Sequence, residues 1–230
     1  MDYINEQYHS ILNNIRELEL KYGRKENSVK LIAVSKTFPV ENIEVVYQAG
    51  QRLFAENKVQ ELENKVDKLP NDIIWHLIGH LQSNKVIKAV TLSSYIHSVD
   101  SEKLLKRIDR ISGEQSVKPK IFFEVNISGE ESKFGLSPIE TVDLTNFYIE
   151  NCKNIELCGL MTMAPHGATN DELDSIFGGL AELKKNIEIK YNITLPELSM
   201  GMSSDYEAAI RNGATFLRIG SSIFGKRNYL

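Results

Sequence analysis

The sequence is poor in the features that mark several protein classes. Its 230 residues include two cysteines, Cys152 and Cys158, too few for a disulfide framework and spaced unlike any zinc motif. No run approaches the roughly 18 uninterrupted apolar residues of a membrane-spanning helix. The N-terminal segment is polar and amphipathic, without the basic lead-in and apolar core of a secretion signal. These absences predict a cytoplasmic protein without a membrane partner.

An excess of positive charge is also missing. Lys and Arg number 27 against 31 Asp and Glu, a net charge of −4, whereas binding to a phosphate backbone needs clustered positive charge. We therefore expect no nucleic-acid partner. Hydrophobic residues make up 42% of the chain, enough for a globular core. The chain has no Pro-, Gly- or Ser-rich linker, and we expect one domain over 1–230 that is monomeric.

Short apolar runs alternate with longer amphipathic segments along the chain. Several of the short runs are nearly continuous, which is typical of strands covered on both faces. Eight strands, each followed by a helix-length stretch, predict a closed (β/α)₈ (TIM) barrel with an additional N-terminal helix at about 3–22. A doubly wound open sheet is the competing topology. The eight runs are 29–36, 52–57, 73–79, 94–100, 120–127, 156–164, 197–202 and 216–220.

Helix start and stop signals lie between these runs. Pro39 and Gly50 bracket one predicted helix, with proline at its start and glycine beyond its end. A Ser or Thr followed three residues later by Glu predicts a capping box. This pattern occurs at Ser137–Glu140, Thr169–Glu172 and Ser204–Glu207.

The carboxyl ends of barrel strands surround the mouth where barrel enzymes carry their active sites. Residues in those positions are therefore the candidates for function. They are Lys36, Glu56, Asn57, Gly79, His80, Ser98, Asp100, Asn126, Met163, Ser203, Gly220 and Ser221.

Lys36 is a candidate nucleophile among these residues. It directly follows the apolar run LIAVS and precedes Thr-Phe-Pro, so a rigid strand end holds it. An amine above an apolar floor has its charged form disfavoured, which lowers its pKa and frees it to attack a carbonyl. The alternative is a solvated loop lysine.

The C-terminal region carries a candidate anion site. Gly201 to Ser204 lead into a helix, and Gly220 and Ser221 follow the last strand. Small residues at such positions let backbone N–H groups and hydroxyls approach a phosphate, and the loops after strands seven and eight commonly do so in this barrel. Arg218 alternates inward with Gly220, where a buried guanidinium needs an acceptor. Ordinary tight turns are the alternative.

Other motifs are weaker. Gly79 to Lys85 resembles a phosphate-binding loop, but Asn84 replaces its second glycine. His76 and His80 are four residues apart on a strand that runs into a loop, so they would not share a face. We expect no metal site.

Eight blocks of the sequence resemble the motifs of the pyridoxal phosphate homeostasis protein family, in the family's order and from about residue 30 to 225. The resemblance implies the fold-type III barrel, similar to the N-terminal domain of alanine racemase, and pyridoxal 5′-phosphate as cofactor. The blocks are LIAVSKT, AENKVQE, WHLIGHLQSNK, IHSVDS, VNISGEESKFG, GLMTMAP, LSMGMSSDYEAAI and RIGSSIFG.

The resemblance also implies roles for individual residues. Lys36 would hold the cofactor as a Schiff base, and Arg218 would hydrogen-bond its pyridine nitrogen. A permanently charged arginine keeps that nitrogen unprotonated and weakens the ring as an electron sink. The other implied contacts are Ser203, Gly220 and Ser221 at the phosphate and Asn57 and Met200 along the pocket.

Two positions differ from the residues that are frequent in the family's motifs. Ala55 stands where a glycine is frequent, and Ser221 where a threonine is frequent. Both changes keep the group that the site needs, a small residue or a hydroxyl. Neither change therefore counts against binding of the cofactor.

Three functions follow as hypotheses. The resemblance implies a carrier without catalytic residues, which binds pyridoxal phosphate and related B6 vitamers and delivers the cofactor to recipient apo-enzymes. A racemase or decarboxylase is an alternative, although too few residues follow Gly220 for the second domain of those enzymes. A cofactor-free Schiff-base aldolase is the other. We further hypothesise that Lys133, in the loop after the fifth strand, relays the cofactor.

Overall fold

A computed structural model describes residues 2–130 and 134–225. Its eight parallel strands pair in sequence order, and β1 also pairs with β8, from Lys30 opposite Phe216 to Ala33 opposite Ile219. This closure confirms the barrel and excludes the open sheet. The strands are β1 (Lys30–Val34), β2 (Leu53–Glu56), β3 (Ile74–Leu77), β4 (Tyr95–Val99), β5 (Lys120–Glu124), β6 (Glu156–Met161), β7 (Glu197–Ser199) and β8 (Phe216–Ile219).

Helices surround the barrel, and one of them precedes the first strand as predicted. A single turn of 3₁₀ helix, Ser83–Lys85, leads into the fourth helix. The helices are α1 (Asp2–Lys21), α2 (Val40–Gln48), α3 (Val59–Val66), α4 (Val86–Leu92), α5 (Glu102–Gln115), α6 (Pro138–Asn151), α7 (Asn170–Tyr191), α8 (Tyr206–Arg211) and α9 (Ser221–Phe224).

Two of the three predicted capping boxes are present. The boxes at Ser137–Glu140 and Thr169–Glu172 open α6 and α7 with both reciprocal hydrogen bonds. The prediction at Ser204 is wrong, because Asp205 is the residue that precedes α8. The Asp205 carboxylate instead accepts a hydrogen bond from the backbone N–H of Met202, at 2.7 Å, and so closes the turn before the helix.

The core has two layers, as the alternation of strand side chains dictates. On β1, Leu31 and Ala33 pack with the helices, whereas Ile32 and Val34 belong to a separate cluster inside the barrel. Phe122 from β5 fills the same interior. The interior layer forms the floor under the strand ends.

The end of α1 and the residues that follow it contact α8. Lys21 and Tyr22 both donate hydrogen bonds to the Glu207 carboxylate on α8, each at 2.8 Å. Arg24 donates to the backbone carbonyls of Ile210 and Ala214. These contacts hold α8 and the turn after it against the end of α1.

Neither cysteine forms a disulfide bond. Burial raises the pKa of the Cys158 thiol and that of Cys152, the latter to about 11, so both thiols are protonated and unreactive at neutral pH. Among the described residues, no helix combines the length and apolar character needed to cross a membrane.

Candidate active site

A cavity of about 530 Å³ opens at the carboxyl ends of the strands, within the range of about 300–1,000 Å³ that small-molecule sites occupy. Six of the seven predicted cofactor residues line it; the seventh, Met200, does not. The lining residues are Val34, Lys36, Asn57, Ile78, Gly79, His80, Glu124, Phe134, Met163, His166, Met202, Ser203, Ser204, Arg218, Gly220 and Ser221.

Lys36 follows β1 on a constrained turn. The N–H of Ser35 donates to the Ala55 carbonyl at 3.0 Å, which extends the sheet up to the residue before Lys36. Thr37 has a positive φ of 69°, and its N–H donates to the Glu61 carboxylate at 2.7 Å. The half-buried Lys36 is therefore held between two fixed residues, with its side chain on the cavity wall.

A buried ion pair lies below this turn. The Lys65 ammonium contacts the Glu56 carboxylate at 2.7 Å and donates to the Ser35 carbonyl at 3.0 Å. The Ser35 hydroxyl donates to the same Glu56 oxygen, Oε1, at 2.7 Å. Burial raises the pKa of Glu56 to about 7, against the opposing attraction of Lys65. Glu56 therefore supports the turn that carries Lys36 and does not line the cavity.

The opposite wall consists of the turns after β7 and β8. Gly201 has a φ of 91°, and a Cβ there would lie 2.6 Å from the Ala209 Cβ. Gly220 passes so close to β1 that a Cβ would meet the Val34 carbonyl oxygen at 3.0 Å. The two turns are joined because the N–H of Ser222 donates to the Ser203 hydroxyl at 3.4 Å. Glycine thus brings two hydroxyl-bearing turns together, a geometry suited to an anion.

Arg218 lies at the floor of the cavity, 4% exposed. It donates from Nη1 to the Ser199 hydroxyl at 2.6 Å and from Nη2 to the Thr162 carbonyl at 2.9 Å. Burial lowers its pKa to about 10, opposed by Asp205 and Glu124. The guanidinium is therefore still charged at neutral pH and is fixed by neutral acceptors.

A chain of polar side chains continues from Arg218 into the barrel. Ser199 Oγ lies 2.9 Å from His97 Nδ1, and His97 Nε2 shares a hydrogen bond with His76 Nδ1 at 2.8 Å. Burial lowers the pKa of His76 to about 3 and the pKa of His97 well below its ordinary value. Both imidazoles are therefore neutral. The sequence analysis did not predict that these two uncharged histidines are linked to Arg218 through Ser199.

His80 is separate from His76, as the sequence predicted. It lies on the cavity wall, with Nδ1 3.4 Å from the Asp100 carboxylate and its ring stacked on Phe134 at a centroid distance of 4.9 Å. Among the described residues, no group of three or more His, Cys, Asp or Glu side chains could hold a metal ion.

Glu124 is a cavity residue that the sequence reasoning missed. The run 120–127 predicts a longer strand with Asn126 at the mouth, but β5 ends at Glu124. Glu124 is 5% exposed and its pKa is raised to about 7 by burial and by Asp100, against the effect of Arg218. Side chains alternate along a strand, so Glu124 shares the inward face of Phe122, and this alternation is the signal that could have identified it.

Two further predicted residues lie apart from the geometry described so far. Met200 is fully buried in the core, and Met202, two residues on, lines the cavity instead; a contact of Met200 with the cofactor stays a prediction. Lys133, the predicted relay, lies outside the described residues.

The chain matches known proteins over nearly its whole length. The family described as "Alanine racemase, N-terminal domain" matches residues 7–228. The pyridoxal phosphate homeostasis protein of Aquifex aeolicus (strain VF5) is 38% identical over 225 residues, which cover 97% of this chain and 98% of that protein. The protein of the same name from Homo sapiens is 39% identical over 215 residues, 87% of this chain and 77% of the human protein.

Solved structures agree with the barrel. PipY of Synechococcus elongatus PCC7942, solved with PLP bound, is 38% identical and has a TM-score of 0.85, with 96% of this chain and 100% of PipY covered. Alanine racemase of Clostridium difficile 630 in complex with cycloserine has a TM-score of 0.75 at 16% identity, covering 99% of this chain and 60% of the racemase. The second likeness shows the fold alone.

Proposed function

The chain belongs to the pyridoxal phosphate homeostasis protein family, and on that premise we propose that it binds pyridoxal 5′-phosphate, retains it on Lys36 and releases it to other proteins. The observation that carries this proposal is the convergence on one cavity of a strand-end lysine, two hydroxyl-bearing turns and a buried arginine. The proposal includes a monomeric, single-domain protein of 1–230 that is cytoplasmic and serves recipient apo-enzymes.

The donor set fits the cofactor. Its aldehyde needs a primary amine, which Lys36 supplies, and its phosphate needs N–H and hydroxyl donors, which the turns at Ser203 and Ser221 supply. Gly220 has no side chain where a Cβ would press on β1, so backbone closes that wall of the cavity. We propose Asn57 and Met200 as further pocket residues.

Arg218 would define the electronic state of the bound ring. The cofactor, when bound, supplies an aldehyde that captures amines and a pyridine ring that can accept electrons. Arg218 donates hydrogen bonds and remains charged, so it cannot protonate the pyridine nitrogen in the way that an acidic partner does. Because Ser199 and Thr162 already hold two of its nitrogens, the guanidinium is oriented before the ligand arrives. This arrangement favours retention of the cofactor over carbanion chemistry.

We propose a carrier rather than an enzyme. Support for the carrier comes from the name that relatives at 38–42% identity bear. We expect no racemisation or decarboxylation when the loaded protein is incubated with amino acids.

An absorbance spectrum tests the proposal. The purified protein supplied with pyridoxal phosphate is expected to turn yellow, to bleach with borohydride, and to carry the added pyridoxyl mass on the peptide that contains Lys36. Lys36→Ala should abolish the band, whereas Lys58→Ala, which changes an exposed lysine before α3, should keep it. A wild-type protein that stays colourless would contradict the proposal and favour the aldolase.

A further inference from the structure

Glu124 is a buried carboxyl group that faces the cavity. It ends β5 and is 5% exposed, and the exposed part lines the cavity wall. Among residues 2–130 and 134–225, its carboxylate makes no hydrogen bond and no ion pair. Among the described residues, the buried side-chain atoms without a partner are Glu56 Oε2, His76 Nε2 and Ser112 Oγ. The Glu124 oxygens are therefore reached from the cavity, where water or a cationic ligand would be their partner.

The charges around Glu124 are arranged unequally. Asp100 raises the pKa of Glu124 and Arg218 lowers it, so one negative and one positive group flank the carboxyl group. Nη1 and Nη2 of Arg218 already donate hydrogen bonds to uncharged oxygens. His80, on the same wall, has the Asp100 carboxylate 3.4 Å from its Nδ1. The part of the cavity formed by β3 to β5 is therefore acidic. The turns after β7 and β8, by contrast, are suited to an anion.

The rim next to this acidic region is apolar. Phe134 is 64% exposed and Met163 is 41% exposed, and both line the same cavity. An apolar rim above a buried carboxyl group matches a ligand with an alkyl chain and a terminal positive charge. A neighbouring carboxylate on the ligand would meet Glu124 and Asp100 and be repelled.

We propose that Glu124, in the electrostatic field of Asp100 and with Phe134 and Met163 at the rim, forms a second binding site in the cavity for an alkylammonium group that has no adjacent carboxylate, the chemistry of a lysine side chain. Its purpose rests on the proposed function, since such an amine is a chemically suitable acceptor for an aldehyde cofactor. The binding itself requires no cofactor.

Calorimetry with a matched pair of amines tests the site. The probes are n-butylammonium and L-norvaline, which carries the same alkyl chain with a carboxylate added, and the protein is the full chain freed of cofactor at pH 7. We expect n-butylammonium to bind at least tenfold more tightly than L-norvaline. Binding should release protons, detected as a dependence of the measured heat on the buffer's ionisation enthalpy, because the ammonium stabilises ionised Glu124.

Variants assign the binding to Glu124. Glu124→Gln should weaken n-butylammonium binding at least tenfold and abolish the proton release, and Asp100→Asn should weaken it severalfold. Glu102→Gln, an exposed carboxylate at the start of α5, is the matched control and should change neither. Circular dichroism verifies that each variant is folded; if Glu124→Gln is not, the ratio between the two probes in the wild-type protein decides.

Two results would overturn the inference: equal affinity for the two probes, or unchanged binding in folded Glu124→Gln. The absorbance test keeps this outcome apart from the proposed function. A protein that forms the yellow band without binding n-butylammonium refutes the second site alone. A protein that binds n-butylammonium through Glu124 and stays colourless refutes the cofactor assignment alone.

Discussion

Glu56 and Glu124 end two strands of the same barrel, and burial raises the pKa of each to about 7, yet their surroundings are opposite. Glu56 is fully buried, and its Oε1 accepts hydrogen bonds from Ser35 and from Lys65. Glu124 has no such partner among the described residues and faces open space. The Oε2 of Glu56 is buried without a hydrogen-bond partner, so what distinguishes the two groups is the ion pair: the chain's own lysine holds Glu56, whereas Glu124 makes no ion pair among the described residues and opens onto a cavity.

The largest expected effect separates the two residues by stability. Glu56→Ala leaves the buried Lys65 ammonium with only the more distant Glu61 carboxylate, at 3.8 Å, and we expect the free energy of unfolding to fall by about 3 kcal/mol. Glu124→Ala breaks no pair and removes a carboxyl group whose ionised form burial disfavours, so it should not lower the free energy of unfolding at pH 7. Urea denaturation at pH 7 measures both.

A double variant checks the cause of that loss. Glu56→Leu combined with Lys65→Met replaces the ion pair with apolar side chains and should recover most of the stability lost in Glu56→Ala. Equal losses for Glu56→Ala and Glu124→Ala would remove the distinction between the two carboxyl groups.

The second effect is on the pH dependence of stability. Because the pKa of Glu124 is raised from 4.5 to about 7, the folded state retains a proton that the unfolded state has lost between these values. Stability therefore declines as pH rises through this window, by up to about 1.4 kcal/mol per pH unit for one such group. Glu124→Gln cannot titrate, so it should equal the wild type near pH 4.5 and exceed it by about 2–3 kcal/mol above pH 7.

Unfolding curves at four pH values from 4.5 to 7.5 measure this difference. Glu172→Gln serves as the contrasting control, since capping hydrogen bonds lower the pKa of that exposed carboxylate and its contribution is lost only as the pH falls. A wild-type profile that coincides with that of Glu124→Gln would contradict the raised pKa.

A third prediction extends the comparison to a cation. Arg218 resembles Glu56 in having fixed partners, and Ser199→Ala removes the acceptor of its Nη1 together with the neighbour of His97 Nδ1. We expect a loss of about 2 kcal/mol. We also expect a shifted absorbance maximum for bound pyridoxal phosphate, because the guanidinium is no longer held. Ser221→Ala, a hydroxyl on the cavity wall, should leave stability within about 0.5 kcal/mol of the wild type.

The smallest expected effect supplies the baseline. Thr169→Ala removes the side-chain cap of α7, remote from both carboxyl groups, and should cost about 1 kcal/mol. Cofactor and amine binding should be unchanged, as measured by absorbance and calorimetry. A change in either would mean that stability and binding are coupled throughout the barrel, and the contrast between Glu56 and Glu124 would then lose its meaning.

Local patterns were sufficient to predict the fold. Eight apolar runs identified all eight strands, because strands buried on both faces stand out from amphipathic helices. The cap at Ser204 failed for a local reason: Asp205, one residue on, binds the turn at Met202 more directly. Lys36, Asn57 and Arg218 were predicted from their positions at strand ends and on an inward face, whereas Met200 came from resemblance alone.

The polar contacts inside the barrel could not be predicted from the sequence. The contacts of His97 with His76 and Ser199 join three different strands, so they depend on barrel register that no single segment encodes. The pairing of Glu56 with Lys65 depends likewise on how α3 packs beside β2. Glu124 was hidden because the apolar run continues past the true end of its strand.

The pairing of β8 with β1 also determines when during synthesis the cavity can form. Lys36 follows the first strand and Arg218 lies on the last, so nearly the whole chain must be synthesised before the two can meet. A nascent chain on the ribosome presents the lysine long before it has the arginine or the turn after β8. Contacts of such high sequence separation form slowly, so the cavity proposed for the cofactor is assembled only after β8 has paired with β1.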